Sequence, residues 1–254
     1  YEDREMPLAE VLDTETGIGF PPEQNTGGVA PLVDDIPIYK SANSQTFEWT
    51  SADNFLFATY QRALKGNHYQ IELDEKKLSE LETGNIKSPP TFSAMASVIY
   101  ANAHEYIFLQ SAGGSSANQL SGRFCHADEN IEQLCKDIAA HEQQAVGDGV
   151  RAEIVHITES RLGNILQRPV LSQYEIPYLA QSALPPEFQI PLNDLMISVR
   201  NNQIILRSKK LNKRVFPVLS SAHNFSAGSL PVYHFLCMLQ MQDINSSLGF
   251  HWGF

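Results

Sequence analysis

Cysteine is scarce in this chain, and its scarcity excludes a disulfide-stapled fold. Only Cys125, Cys135 and Cys237 occur in 254 residues, with no C-x-x-C pair. Neither a disulfide framework nor a zinc ribbon finds its ligands in that pattern. Reduced thiols point to a cytoplasmic setting, and no metal is expected. Basic residues are in deficit as well: eighteen Lys and Arg stand against twenty-nine Asp and Glu, a formal charge of −11. Indiscriminate nucleic-acid binding draws on Lys and Arg to neutralise phosphates, so only a localised basic patch overcomes that balance. No apolar run approaches the ~20 residues of a membrane-spanning helix, and the opening YEDREMPLAE is polar and acidic rather than a signal sequence. The GIGFPP at 17–22 lacks the lysine and the spacing of a P-loop. No GxSxG elbow surrounds Ser220 or Ser221, so hydrolase chemistry has no foothold.

What remains is globular in composition, with 43% hydrophobic residues. Gly17, Gly19, Pro21, Pro22, Gly27 and Gly28 make residues 1–40 a loop-rich lead-in. With Tyr1 at its start, the chain reads as a single fragment of a longer polypeptide, with 41–150 and 151–254 as possible subdomains. Residues 46–66 predict a short strand and then a helix capped by Ser51, with Leu56, Tyr60, Ala63 and Leu64 on one face. Tyr69, Ile71 and Leu73 alternate like a half-buried strand, and 74–82 like a solvated helical turn. Residues 95–100 and 106–110 predict two strands joined by Asn102-Ala103-His104-Glu105. Asp128 begins an amphipathic helix to Ala145 whose apolar stripe is Ile131, Leu134, Cys135, Ile138 and Ala139. Residues 151–157 alternate as a strand. The stretch 195–214 predicts a hairpin closed by Asn201-Asn202, and 230–241 a buried helix. Strands adjacent in sequence, without regular βα alternation, define an α+β fold: a mixed, mostly antiparallel sheet with hairpins and a few packed amphipathic helices.

Four places carry candidate chemistry. The loop SAGGSSANQLSGRF, 111–124, is built of small residues that let a ligand approach the backbone, and it presents Arg123, a fork suited to phosphate or carboxylate. Arg161, Asn164 and Arg168 lie in one loop and suit an anion; the alternative is that the arginines pair with Glu153, Glu159 or Glu175. Arg200, Arg207, Lys209, Lys210, Lys213 and Arg214 place a third of the basic residues within fifteen positions, either as a phosphate-binding patch or as a solvated face. His223 and Asn224 either position a ligand or cap the following helix. The ending LGFHWGF is short and aromatic, and docks on the core or on a further part of the polypeptide.

Four segments resemble one known family in order: ETGIGFPP at 15–22, SAGGSSANQLSGRF at 111–124, RPVLSQYEIPYL at 168–179, and LRSKKLNKRVFPVLSSAHNFS with LPVYHFLCMLQ at 206–240. They resemble the later part of the N-terminal glutamylation domain of the lantibiotic (class I lanthipeptide) dehydratases. The resemblance implies transfer of glutamate from glutamyl transfer RNA to Ser or Thr hydroxyls of a precursor peptide, before elimination elsewhere leaves dehydroamino acids. It implies glutamyl transfer RNA as co-substrate and no other cofactor. The implied partners are the precursor peptide and the remaining dehydratase domains, with homodimerisation left open. It gives Arg123 a role in glutamyl transfer, with Arg161 and Arg168 assisting and the basic hairpin meeting transfer-RNA phosphates. The isolated fragment is expected to be inactive. A non-catalytic scaffold, which requires Arg123 in a buried ion pair, and a peptide aminoacyl-transfer-RNA ligase are the alternative readings.

Overall fold

The computed structural model of the protein describes residues 4–20, 49–79, 87–157, 168–225 and 229–248. Its contacts divide the chain into two units, Tyr1–Gln24 with Lys87–Leu248, and Asn25–Ile86 with Gly249–Phe254. The described elements in chain order are β1 (Met6–Pro7), α1 (Leu8–Leu12), α2 (Ser51–Lys65), α3 (Glu75–Ser79), β2 (Ser93–Ala101), β3 (His104–Gly113), α4 (Asn118–Ser121) and α5 (Glu129–Ala145). There follow β4 (Val150–Val155), β5 (Tyr174–Pro177), β6 (Leu195–Arg200), β7 (Gln203–Ser208), β8 (Lys213–Val218) and α6 (Pro231–Leu239). None of the described helices is long and apolar enough to cross a membrane.

The first unit is organised by a six-stranded sheet in the order β1-β6-β7-β8-β4-β5. Asn201 and Asn202 hold φ of 51° and 60°, the left-handed pair that a two-residue hairpin turn needs, and β6 and β7 pair antiparallel across them. β8 adds antiparallel to β7, whereas β4 lies parallel to both β8 and β5. The sheet is therefore mixed, as an α+β chain allows. The lead-in is not all loop: Leu8 and Leu12, one helical turn apart in α1, are buried in the main core. They meet Ile154, Ile176, Leu195, Leu206 and Leu236 there. Burying each such side chain contributes about 1.5–3 kcal/mol.

β4 is buried along most of its length. Val150, Ala152 and Ile154 supply one face, but Arg151 and Glu153 on the other are also nearly inaccessible. α5 begins where Asp128 Oδ1 accepts a hydrogen bond from the Asn130 amide at 2.7 Å. Its buried residues are Cys135, Ala139 and Glu142, whereas Leu134 is 54% exposed. The inward stripe is thus rotated from the expected one and ends on a carboxylate. α6 starts with Pro231 in its first turn and buries Tyr233, Phe235, Leu236 and Cys237.

β2 and β3 form a separate two-stranded ribbon. Its turn is Asn102-Ala103, with φ of 52° and 64°, and His104 already pairs with Ala101. The expected four-residue connection is therefore two residues long. The ribbon exposes large apolar side chains on both faces, Ile107 and Val98 among them.

In the second unit Thr50, not Ser51, caps α2. Its hydroxyl accepts from the Asp53 amide at 3.2 Å, and Asp53 accepts from the Thr50 amide at 2.9 Å. The expected strand at Tyr69, Ile71 and Leu73 is absent: these residues have no strand assignment and Tyr69 is 98% exposed. Alternation alone makes no strand without a neighbour to bond to. Residues 46–48, 80–86 and 249–254, on which further expectations fall, lie outside the described residues.

Candidate functional site

A cleft of about 470 Å³ opens in the first unit between two loops. One wall comes from the end of β3 and the small-residue loop: Ser111, Gly113, Ser116, Gln119 and Leu120. The other follows β8: Ser221, Ala222, His223 and Phe225. Ser93 and Met95 of β2, and Met241 beyond α6, complete it. Gly114 takes φ of 101°, a conformation side chains avoid, which lets the first loop turn back sharply into α4. The two walls touch through backbone. A Cβ on Gly122 would stand 2.3 Å from the Ser220 carbonyl oxygen, so only glycine lets the Gly122-Arg123-Phe124 turn lie against Ser220.

The lining is mostly apolar, with a few small polar groups set into it. Ser116 is 1% exposed and Ser221 is 2% exposed. The Ser221 hydroxyl finds no hydrogen-bond partner among the described residues. Leaving a buried hydroxyl unsatisfied costs about 1–3 kcal/mol, so this one calls for an explanation. His223 Nδ1 shares a hydrogen bond with the Tyr233 hydroxyl at 2.8 Å. Burial, with a smaller contribution from His156, lowers the His223 pKa and favours the neutral imidazole. Burial raises that of Tyr233 and keeps the phenol protonated. His223 does not cap α6, whose N-cap is Leu230 with no side-chain hydrogen bond.

Arg123 is exposed, and its guanidinium lies over the Phe124 ring, 4.6 Å from the centroid. It does not line the cleft, but stands three residues beyond Leu120, which does. Stacking of this kind holds an arginine while leaving its N–H edge available. Arg168 is nearly buried, with Nη2 2.9 Å from both Glu153 Oε1 and the Ile154 carbonyl. Arg161 and Asn164 lie outside the described residues. Asn224 is exposed beside His223.

None of the six hairpin cations lines the cleft. Arg207 grips Glu5 with both arms of its guanidinium, at 2.6 and 2.5 Å, and those hydrogen bonds hold the Glu5 carboxyl below its usual range. Lys210 Nζ reaches the carbonyls of Pro186 and Glu187 at 3.4 and 3.3 Å. Arg214 stacks on Phe216 at 4.7 Å. Arg200, Lys209 and Lys213 are exposed. The cysteines are buried, and burial pushes the Cys135 thiol up to about 12, as expected of a small apolar side chain rather than a metal ligand.

Sequence reading gives no role to Ser116, Ser221 and Tyr233, nor to Glu142 and Arg151 of the buried group behind them, of which it names only Glu153, as a possible arginine partner. Glu142 carried a legible signal, since it continues the Cys135 and Ala139 helical face at a spacing of three. Nothing in the sequence separates Ser221 from other serines.

Small hydroxyls, loop backbone and the His223 imidazole thus meet at one cleft, with an exposed arginine on the adjoining turn. The sequence profile described as "Lantibiotic dehydratase, N terminus" matches residues 1–254, and the chain belongs to that family. It is 25% identical over 217 residues to epidermin biosynthesis protein EpiB of Staphylococcus epidermidis, covering 81% of this chain and 22% of EpiB. It is 21% identical over 213 residues to subtilin biosynthesis protein SpaB of Bacillus subtilis, covering 79% of this chain and 19% of SpaB. The chain thus spans about a fifth of the length of these relatives. Its fold is similar to that of the tRNA-dependent lantibiotic dehydratase MibB from Microbispora sp. 107891, with a TM-score of 0.77 and 18% identity over 99% of this chain and 24% of MibB.

Proposed function

We propose that this chain forms part of a glutamylation site, and that the cleft receives the aminoacyl end of glutamyl transfer RNA. The observation that carries the reading is the Ser221 hydroxyl, without a hydrogen-bond partner among the described residues, in the wall of a cleft that abuts the Gly122-Arg123 turn. The scaffold reading requires Arg123 in a buried ion pair, whereas the side chain is exposed and stacked. MibB, whose fold this chain shares, is itself a tRNA-dependent lantibiotic dehydratase.

In the proposed reaction a Ser or Thr Oγ of the precursor peptide attacks the glutamyl carbonyl. The new Oγ–C bond replaces the ester bond to the terminal ribose, and the proton lost from Oγ ends on the ribose hydroxyl. One ester is exchanged for another, so no redox or metal cofactor enters the balance. The work is positioning of donor and acceptor. Arg123 meets the glutamyl carboxylate or an acceptor-end phosphate, with Arg161 assisting, while Arg168 is held by Glu153 within the fold. His223 and Asn224 orient the aminoacyl group. Arg200, Lys209 and Lys213 offer charge to the phosphate backbone, with Arg207, Lys210 and Arg214 already engaged within the fold.

The test is binding of glutamyl transfer RNA over a salt series to the full-length protein that contains this chain. Removal of the exposed hairpin charges flattens the slope of log affinity against log salt by roughly one unit per lost phosphate contact. An unchanged slope removes the hairpin from the reading.

A further inference from the structure

Behind the cleft lies a buried chain of charges that the proposed transfer does not use. Arg151 is its hub. Nε donates to Glu142 Oε2 at 2.7 Å, Nη1 to the Ser172 hydroxyl, and Nη2 to the Ser220 hydroxyl at 3.4 Å. Nη1 also stands 4.0 Å from Glu153 Oε2. The side chains of Arg151, Glu142 and Glu153 are 3%, 5% and 1% exposed.

Two arms run from this hub to the two walls of the cleft. On one side, Glu142 Oε1 accepts a hydrogen bond from the Thr91 hydroxyl, which accepts from the Ala117 amide at 2.9 Å. Ala117 follows Ser116 of the first wall. On the other side, Glu153 accepts from the Ser220 amide at 2.6 Å and from the Ser220 hydroxyl at 2.7 Å. Ser220 precedes Ser221 of the second wall. The parallel register explains the second arm, because Glu153 is paired with Val218, and two residues later the chain turns back across it.

Burial of such a group is poorly explained by stability, since well-packed apolar residues do as well or better in place of buried ion pairs. Nor does the group attract an anion: Arg151 and Arg168 balance Glu142 and Glu153. What it does supply is a fixed distance between two loops that no strand joins.

We propose that Arg151 is a positioning residue that sets the separation of the two cleft walls, and through it the affinity for the aminoacyl group. The inference rests on the cleft being the aminoacyl site. A lysine at 151 keeps the charge but has no fork, so it satisfies one arm and releases the other. Thr91→Val cuts the Ala117 arm alone, at a partly exposed position that does not itself line the cleft.

The experiment uses the full-length protein and a non-reactive probe, glutamate joined by an amide to 3′-amino-3′-deoxyadenosine. Arg151→Lys weakens probe binding and raises KM for glutamyl transfer RNA by roughly 10–100-fold, as a misplacement of about 1 Å does, while kcat changes much less. Thr91→Val shows a smaller change in the same direction. The double variant loses less than the product of the two, because Thr91 and Arg151 both bond to Glu142. A probe Kd unchanged in both single variants overturns the inference, as does a loss in kcat alone. Arg123→Ala and Ser221→Ala separate the two readings. If they weaken the probe and the positioning variants do not, this inference alone fails. If they leave the probe unaffected, the cleft assignment fails and this inference falls with it.

Discussion

Gly122→Ala is the substitution whose effect follows most directly from the geometry. The backbone at 122 has φ −55° and ψ −37°, which alanine adopts readily, so conformation alone predicts a gain of about 0.5–1 kcal/mol. Space predicts the opposite. The new Cβ would stand 2.3 Å from the Ser220 oxygen and 3.3 Å from its carbonyl carbon, against the ~3.5 Å of an ordinary contact. Ser220 cannot withdraw, because it is fully buried and Glu153 holds its amide and hydroxyl. The turn bearing Arg123 must therefore move away by about 1 Å, at an overpacking cost of about 1–3 kcal/mol. The net is a loss of about 1–2 kcal/mol. For a chain of this size that lowers Tm by roughly 2–8 °C, read by thermal unfolding of the protein. A Tm equal to or above that of the parent would refute the contact and, with it, the direct apposition of the two walls.

Other expectations are more compact. Glu153→Gln removes the charge between Arg151 and Arg168 and destabilises by about 3–5 kcal/mol, the usual loss when one partner of a buried pair is taken away; a melt shifted by less than a degree would contradict the network. His223 has a lowered folded pKa, so the unfolded chain takes up its proton first. Its contribution to stability is present above the ordinary histidine range, falls as pH drops through about 6.5, and levels off below the folded pKa. His223→Gln removes that slope in melts taken between pH 7.5 and 5.5. Arg207→Ala releases Glu5 from a part-exposed pair and costs no more than about 1 kcal/mol, less in high salt. Val98→Thr with Ile107→Thr, on the exposed ribbon, leaves Tm nearly unchanged because neither side chain is buried.

The hairpin at 195–208 was legible because asparagines at both turn positions leave few other conformations. α5 was legible because an N-cap and a helical stripe agree. The alternation at Tyr69, Ile71 and Leu73 misled, since a strand depends on neighbours that local sequence does not specify. Leu8 and Leu12 were passed over because five residues are too few to show a period. Arg123 stands outside the cleft lining, and the small-residue loop that lines it was readable from residue type and resemblance. The hub was not: Arg151 and Glu153 look like the solvent face of an alternating strand, and only the parallel pairing with β8 brings Ser220 over them. The sequence leaves Arg168 as either an anion ligand or a partner of Glu153, Glu159 or Glu175, and the structure pairs it with Glu153.

The central claim, that the cleft and the Arg123 turn form a glutamyl-transfer site, is tested most directly by single-turnover transfer from charged transfer RNA to the precursor peptide. The assay uses the full-length protein and its Arg123→Ala and Ser221→Ala variants. The account predicts ester formation by the parent, loss of at least tenfold in rate with Arg123→Ala, and a smaller loss with Ser221→Ala. Transfer at the parental rate in both variants would contradict it and place the chemistry elsewhere in the polypeptide.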